Sequence, residues 1–130
     1  MSGLRVLIVD DNALTVELVR LVLEGEAFVV ESAGDAVQAL RKVGSFMPEL
    51  ILMDMHLPGM DGLTLTRQLK ADASLRHIVI VGFSASALKS DETRMREAGC
   101  DGYLSKVMQV DTFAARVLSF VPGVVPGQTI

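Results

Sequence analysis

Four apolar runs of this chain each end in side chains that can do chemistry: Asp10 with Asp11, then Asp54, Ser84 and Lys106. Carboxylates brought close together repel one another and raise their own pKa values unless a cation lies between them. Magnesium fits such a group, because it takes oxygen ligands and binds through one or two carboxylates while keeping water and phosphate oxygens. If the fold brings these run ends together, they predict a site for a cation and an anionic group.

The same residues suit phosphoryl transfer, in which positioning and charge neutralisation supply most of the catalysis. A carboxylate such as Asp54 can itself be the nucleophile and form an aspartyl phosphate. Lys106 would act as a point charge beside it, and the Ser84 hydroxyl could donate a hydrogen bond to an oxyanion. Taken singly, each residue has a commoner role, because acids cap helices, Ser and Asp begin turns, and Lys is usually solvated.

The elements that must position these residues are five strands alternating with five helices. The predicted strands are 4–9, 27–31, 49–54, 78–83 and 100–105. Runs that are apolar throughout, rather than alternating, are typical of parallel strands covered on both faces. The pattern predicts an α/β fold with a doubly wound parallel sheet and helices on both faces. Since the carboxyl ends of parallel strands share one edge, the four polar run ends should converge there.

Helical patterns fill the intervals between the strands. Asn12 should open the first helix, in which Leu14, Leu18 and Leu21 share one face. Asp61 is the expected N-cap of the third helix, and the fourth should span about 89–98. The remaining stripes are Ala36, Val37, Leu40 and Val43 before Gly44, then Leu63, Thr66 and Leu69, and finally Val110, Phe113, Val117 and Phe120.

Length and composition indicate one compact domain, because the chain has 130 residues and half of them are apolar. We place this domain at 1–121 and expect 122–130, with two Pro-Gly pairs, to be an irregular C-terminal tail. A net charge of -4 without a Lys/Arg cluster argues against direct nucleic-acid binding. No run reaches signal-peptide or membrane-spanning length, which predicts a cytoplasmic protein. The single cysteine, Cys100, is interpreted as small apolar filler.

Four motifs resemble those of the receiver domain of two-component response regulators. They are Val-Asp-Asp-Asn at 9–12, Leu-Met-Asp-Met-His-Leu-Pro-Gly-Met-Asp-Gly at 52–62, Ser-Ala at 84–85 and Gly-Tyr-Leu-Ser-Lys at 102–106. In this order and at these separations they are highly specific. The likeness covers Leu4 to about Val121, so the domain would be a receiver domain of the stand-alone, single-domain type.

The resemblance implies a flavodoxin-like (βα)5 fold with strand order 2-1-3-4-5. Asp54 would accept a phosphoryl group from a phosphohistidine of a sensor histidine kinase or histidine phosphotransfer protein. Asp11 and Asp54 would bind Mg²⁺ directly, with the backbone carbonyl of His56 as the third protein ligand and Asp10 acting mainly through water.

The resemblance also implies a switch that acts on a downstream protein target. Lys106 would pair with the phosphoryl oxygens, Ser84 would turn toward them once Asp54 is modified, and Tyr103 would be the aromatic switch residue. Without the motif around it, Tyr103 would be interpreted as half-buried packing. Such a protein is not an enzyme for other substrates, since it catalyses only its own phosphorylation and dephosphorylation.

Three positions depart from the family pattern or stand out within it. The family usually has a proline with a cis peptide bond after the lysine, but Val107 follows Lys106 here. A cis bond before Val would cost about 2.5–4 kcal/mol, so the loop either bears that strain or runs trans and moves Lys106. Gly82, inside the fourth predicted strand, should either loosen packing beneath Ser84 or admit a bulky neighbour. His56 is expected to be an exposed modifier of water access rather than a catalyst.

Three functions compete at this point. The first is a phosphoacceptor signalling module, and the second is a degenerate receiver that docks partners without phosphorylation. The third is a phosphatase with an aspartyl-phosphate intermediate. Such phosphatases usually need a second acid near the nucleophile and a cap over the substrate, whereas Met55 and His56 follow Asp54 and no insertion is large enough for a cap. The complete acidic set favours the first function.

Overall fold

A computed structural model describes residues 3–85, 88–107 and 109–121, and within these ranges strands and helices alternate five times. The strands are β1 (Arg5–Val9), β2 (Val29–Ala33), β3 (Leu50–Asp54), β4 (Val79–Ser84) and β5 (Gly102–Ser105). The helices are α1 (Ala13–Gly25), α2 (Ala36–Phe46), α3 (Gly62–Ala71), α4 (Lys89–Ala98) and α5 (Val110–Leu118). Positions 122–130, predicted to form an irregular tail, lie outside the described residues.

All strand pairs are parallel, and the sheet order is β2-β1-β3-β4-β5. The predicted doubly wound fold and its strand order are therefore confirmed. β3 lies at the centre of the sheet, with Met53 paired to Val9 of β1 and to Gly82 of β4. Asp54 is the last residue of this central strand.

Two apolar layers cover the sheet. α2, α3 and α4 pack on one face, where Ala39, Leu69 and Met95 are buried against strand side chains. α1 and α5 pack on the other face, where Leu23 and Phe113 are buried. β3 and β4 are buried along their whole length, which explains why their sequences are apolar rather than alternating.

Side-chain caps begin the first three helices. Asn12, Asp35 and Asp61 accept hydrogen bonds from the backbone N–H groups of Thr15, Gln38 and Thr64, respectively. Each cap satisfies a helical N–H group that has no partner within the helix. The predicted capping roles of Asn12 and Asp61 are confirmed.

The three leucines predicted to share a face of α1 do so, but that face points to solvent. Leu14, Leu18 and Leu21 are 82%, 41% and 73% exposed, whereas α1 packs on the sheet through Val19 and Leu23. We call Leu14, Leu18 and Leu21 the α1 leucine face. Apolar residues occur on more than one face of this helix. Their spacing therefore identified an apolar stripe but did not indicate which stripe packs on the sheet.

The other differences from prediction concern boundaries and single stripe positions. β2 begins at Val29 and β5 at Gly102, each two residues later than expected. At β2 the cause is Ala27, which turns the chain with a φ of 67°. α5 ends at Leu118, so Phe120 lies beyond the helix to which it was assigned. α2 continues through Gly44 and ends at Phe46, where Met47 adopts a left-handed conformation. Two members of the predicted apolar stripes, Val37 and Val110, are exposed. In the described part of the chain, no helix has the length and apolar character needed to cross a bilayer.

Candidate functional site

Three carboxylates meet at the carboxyl edge of the sheet. Asp10 and Asp11 follow β1, Asp54 ends β3, and one oxygen from each lies within 4.8 Å of the others. Asp10 and Asp54 are buried, whereas Asp11 is exposed to solvent. The convergence expected from the sequence is therefore present in the structure.

Lys106 enters this cluster from the end of β5. Its Nζ lies 2.6 Å from Asp10 Oδ2 and 3.4 Å from Asp54 Oδ2. Its backbone N–H donates to the Ser84 carbonyl at 2.8 Å, which holds the loop after β5 against the end of β4. The ammonium also lies 5.8 Å from the centre of the Phe83 ring, within the range of a cation–π contact.

The Lys106–Val107 peptide bond is trans, since no peptide bond among the described residues is cis. The sequence left two outcomes open, a strained cis bond or a trans bond that moves Lys106. The trans form is the one observed, and the Lys106 ammonium still contacts both Asp10 and Asp54. The departure from the family pattern therefore leaves the lysine at the acid cluster.

In each of the two buried acids, one carboxylate oxygen accepts a hydrogen bond from a backbone N–H group. Asn12 N–H donates to Asp10 Oδ1 at 2.9 Å, and His56 N–H donates to Asp54 Oδ1 at 3.1 Å. Each bond joins an Asp to the residue two positions on, the pattern of an Asx turn. In both acids the Oδ2 atom is left on the side of Lys106.

Asp10 Oδ2 is buried and has no hydrogen bond among the described residues, although Lys106 Nζ is close. The distance of 2.6 Å between Lys106 Nζ and Asp10 Oδ2 is short enough for a hydrogen bond. The angle at which the two groups approach is therefore what departs from hydrogen-bond geometry. We therefore describe this contact as an ion pair rather than as a hydrogen-bonded salt bridge. A buried acceptor without a hydrogen bond is costly, and a cation is one partner that would satisfy it.

The pKa of Asp54 is raised above its ordinary value, chiefly because burial disfavours the charged carboxylate. The hydrogen bond from His56 N–H and the charge of Lys106 lower this pKa, and the nearby charge of Asp10 raises it. Burial thus outweighs the local donors. A divalent cation near Asp54 would favour the ionised form.

The donor set fits Mg²⁺ rather than a softer metal. The cluster offers carboxylate oxygens from Asp10, Asp11 and Asp54, and oxygen ligands suit Mg²⁺, whereas Zn²⁺ and copper favour nitrogen and sulfur. Exposed Asp11 leaves one side of the cluster open to solvent, as needed by an ion that retains water ligands.

The remaining predicted residues lie around this cluster. Ser84 is buried at the end of β4, one residue beyond Phe83, which pairs with Asp54. Tyr103 in β5 is half-buried and packs against the apolar layer beneath α2, α3 and α4. The side chain of His56 is exposed, as expected.

Gly62, at the start of α3, lies directly against the backbone of Asp54. A Cβ atom on Gly62 would lie 1.9 Å from the Asp54 carbonyl oxygen, and Gly62 N–H donates to the Met55 carbonyl at 3.1 Å. Sequence reasoning missed this contact and the ring of Phe83 under Lys106. Gly62, the last residue of the motif at 52–62, was a usable signal for its contact with Asp54. Nothing in the sequence pointed to the Phe83 ring.

The fold and the acid cluster together define a doubly wound α/β domain with a carboxylate site at the carboxyl edge of its sheet. Comparison with known proteins identifies its family. The profile of the response regulator receiver domain matches residues 6–118. The chain belongs to the response regulator receiver domain family, whose members act in two-component signalling rather than as classical enzymes.

Relatives of known name and structure agree with this assignment. The polar-differentiation response regulator DivK of Brucella anthropi is 38% identical over 116 residues, which cover 89% of this chain and 94% of DivK. A putative response regulator from Chloroflexus aurantiacus has a TM-score of 0.87 at 28% identity, over 92% of this chain and 98% of its own. The receiver domain of a sensor histidine kinase from Pseudomonas aeruginosa, with magnesium coordinated in its active site cleft, has a TM-score of 0.82 at 28% identity over the same shares.

Proposed function

We propose that this chain is a phosphoacceptor receiver in which Asp54 takes a phosphoryl group from a phosphohistidine. The observation that carries this proposal is the Lys106 ammonium set between the buried carboxylates of Asp10 and Asp54. A receiver that served only as a docking module would need neither the acid cluster nor its cation. The receiver domain would extend over residues 1–121, and its cytoplasmic location remains a prediction.

The transfer forms one bond and breaks another. Asp54 Oδ1 accepts the His56 N–H, so Oδ2 on the Lys106 side is the nucleophilic oxygen. This oxygen bonds to phosphorus while the phosphorus–nitrogen bond of the donor breaks, and the imidazole nitrogen keeps the electron pair. Lys106 stabilises the negative charge that accumulates on the phosphoryl oxygens.

Asp11 and Asp54 would hold Mg²⁺ directly, with the His56 backbone carbonyl as a third ligand and Asp10 mainly through water. When bound, this ion neutralises phosphoryl charge and orients the oxygens. The buried Asp10 Oδ2 without a hydrogen bond supports a cation requirement at the cluster. In the modified state the Lys106 ammonium is shared between the Asp10 carboxylate and the phosphoryl group.

The signal would be the response of Ser84 and Tyr103 to the new phosphoryl group. Phosphorylation adds negative charge and strong acceptor oxygens, and Ser84 lies at the end of β4 beside Asp54. A charge-assisted hydrogen bond from Ser84 would stabilise one position of the loop that follows β4. Tyr103 of β5 pairs with Gly82 of β4, the strand that ends at Ser84. A change in the position of the loop after β4 would therefore reach Tyr103 and the surface that binds a downstream protein.

The α1 leucine face is the surface on which we expect the phosphohistidine donor protein to dock. It continues from the acid cluster, because Leu14 is two residues beyond Asn12, whose N–H donates to Asp10. Three exposed leucines on successive turns suit the apolar face of a partner helix. Replacing Leu14 and Leu21 with Ser should slow transfer from an autophosphorylated histidine kinase domain without slowing labelling by acetyl phosphate.

Mass spectrometry after incubation with acetyl phosphate and Mg²⁺ tests the phosphoacceptor role. We expect one acid-stable, base-labile phosphoryl adduct on the wild-type protein and none on Asp54→Ala. Asp35→Asn is the matched control, because Asn also caps helices and Asp35 caps α2. An unlabelled wild-type protein, or a labelled Asp54→Ala, would overturn the proposal and favour the docking module.

A further inference from the structure

α4 has few apolar side chains with which to hold itself on the sheet. Of its ten residues, only Met95 and Ala98 are buried. Leu88 stands at its N-cap position, where an apolar side chain cannot accept the N–H bonds that Asn12 and Asp61 accept in α1 and α3. Elements with little buried apolar surface open at lower free energy than the core around them.

Met95 reaches the sheet at a place where the sheet has no side chain. Gly82 lies between Met53 of β3 and Tyr103 of β5 in the parallel register. A Cβ atom on Gly82 would lie 2.2 Å from Met95 Sδ and 2.5 Å from its Cε. The Met95 thioether therefore rests on the backbone of Gly82, and this is the bulky neighbour that a glycine inside a strand predicted.

We propose that this contact is a latch, and that α4 leaves and returns to the sheet as a unit while the central strands stay paired. A thioether is flexible and fills irregular gaps, so it can leave and re-enter a gap that offers no interlocking side chain. The opening would not require phosphorylation of Asp54, and it would set how often the inner face of α4 and the edge near Tyr103 are accessible to a partner.

Methionine oxidation separates opening of α4 from unfolding of the whole domain. Hydrogen peroxide transfers one oxygen atom to an accessible thioether and leaves water, so that Met becomes the sulfoxide. Met95, Met53 and Met55 are equally buried, but Met53 and Met55 lie in or directly after the central strand β3. If α4 opens alone, Met95 is oxidised several-fold faster than the other two.

The experiment follows the oxidation of each methionine by peptide mass spectrometry in the intact protein, with exposed Met47 as the upper limit. Gly82→Ala puts a methyl group into the gap and strains only the state in which α4 is in place. It should speed the oxidation of Met95 several-fold further and leave Met95 several-fold ahead of Met53 and Met55. Gly44→Ala is the matched control, because a Cβ at Gly44 of α2 meets no atom within 4 Å.

Two results would overturn the latch. Oxidation of Met95 in the wild-type protein at the rate of Met53 and Met55 would mean that all three become accessible only on global unfolding, and this comparison stands even if Gly82→Ala fails to fold. Oxidation of Met95 in folded Gly82→Ala no faster than in the wild-type protein would mean that the contact between Met95 and Gly82 does not hold α4 on the sheet.

Discussion

Lys106 and Asp10 form an ion pair in which the carboxylate side chain has no exposed surface. The Lys106 ammonium lies 2.6 Å from Asp10 Oδ2, with its own side chain 17% exposed. The same ammonium is 3.4 Å from Asp54 Oδ2, so a single cation offsets two buried acids. The acid cluster is thus held by a lysine whose loss would leave charge buried without compensation.

Replacing Lys106 with Met should therefore destabilise the protein by about 3–5 kcal/mol in metal-free buffer, the usual cost of removing one partner of a buried pair. Urea unfolding followed by circular dichroism measures this change. Added Mg²⁺ should recover part of the loss, because it supplies another cation. Lys89→Met, at an exposed position of α4, should stay within about 0.5 kcal/mol of wild type. Equal effects of the two variants would contradict the role of the ion pair.

Asp54→Asn should make the metal-free protein more stable at neutral pH. The pKa of Asp54 is raised by burial, so the folded state binds this proton more tightly than the unfolded chain does. Stability from this group is present below the ordinary pKa of 3.8 and is lost as pH rises through the higher folded pKa. Because Asn carries no charge, the variant avoids that loss.

Thermal unfolding of both proteins in chelator from acidic to neutral pH measures the effect. The gap in stability between Asp54→Asn and wild type should close as the pH falls below 3.8 and reopen toward neutral pH. Asp35→Asn, which replaces an acid at a helix cap, should show no such gap at neutral pH. A variant less stable than wild type there would mean that the Lys106 attraction outweighs burial.

Gly62→Ala should damage both folding and the acid cluster, because the new methyl group would lie 1.9 Å from the Asp54 carbonyl oxygen. Overpacking of this kind costs about 1–3 kcal/mol or more, which exceeds the gain of up to about 1 kcal/mol from a better helix former. Isothermal titration calorimetry should also show weaker Mg²⁺ binding. Gly25→Ala, at a glycine with open space around it, should leave Mg²⁺ affinity unchanged. Wild-type Mg²⁺ affinity in Gly62→Ala would show that α3 can shift without moving Asp54.

Lys70→Met should destabilise the fold by about 2 kcal/mol, because hydrogen bonds from a charged group are worth about 1.5–3 kcal/mol. Lys70 Nζ donates to the carbonyls of Arg76 and Ile78 and to Asp101 Oδ2 at 2.8–3.0 Å, which ties the end of α3 to the start of β4 and β5. Urea unfolding tests this prediction. Arg96→Met removes only an exposed helical pair with Glu92 and should cost at most about 0.5 kcal/mol. If Lys70→Met lost no more stability than Arg96→Met, the hydrogen bonds of Lys70 would not be what holds the end of α3 to the starts of β4 and β5.

The three inner strands of the sheet, β1, β3 and β4, were predicted better from the sequence than the two edge strands, β2 and β5. β3 and β4 are covered on both faces, so their apolar runs had few alternative explanations, and both boundaries were right within one residue. β2 lies at an edge of the sheet with Val29 exposed, and its start was predicted two residues early. The turn at Ala27, with its positive φ, gave no signal because alanine rarely adopts that conformation.

The acid cluster was predictable because each of its members ends a strand, and parallel strands bring their ends to one edge. The side chain that each member contacts could not be predicted from the sequence. Sequence order does not indicate that the Lys106 ammonium would lie nearer to Asp10 than to Asp54, since that depends on side-chain conformations in three strands. The outward direction of the α1 leucine face was also unpredictable, because Val19 and Leu23 offered an equally apolar inward stripe.

The order of the strands in the sheet has a consequence for when the protein becomes competent to signal. Asp10, Asp54 and Lys106 come from distant parts of the chain, and each parallel pairing that unites them needs a crossover connection of a dozen or more residues. A nascent chain still emerging from the ribosome without β5 lacks the ammonium altogether. On the phosphoacceptor role proposed above, incomplete molecules would therefore accept phosphoryl groups poorly and would divert few of them from finished molecules.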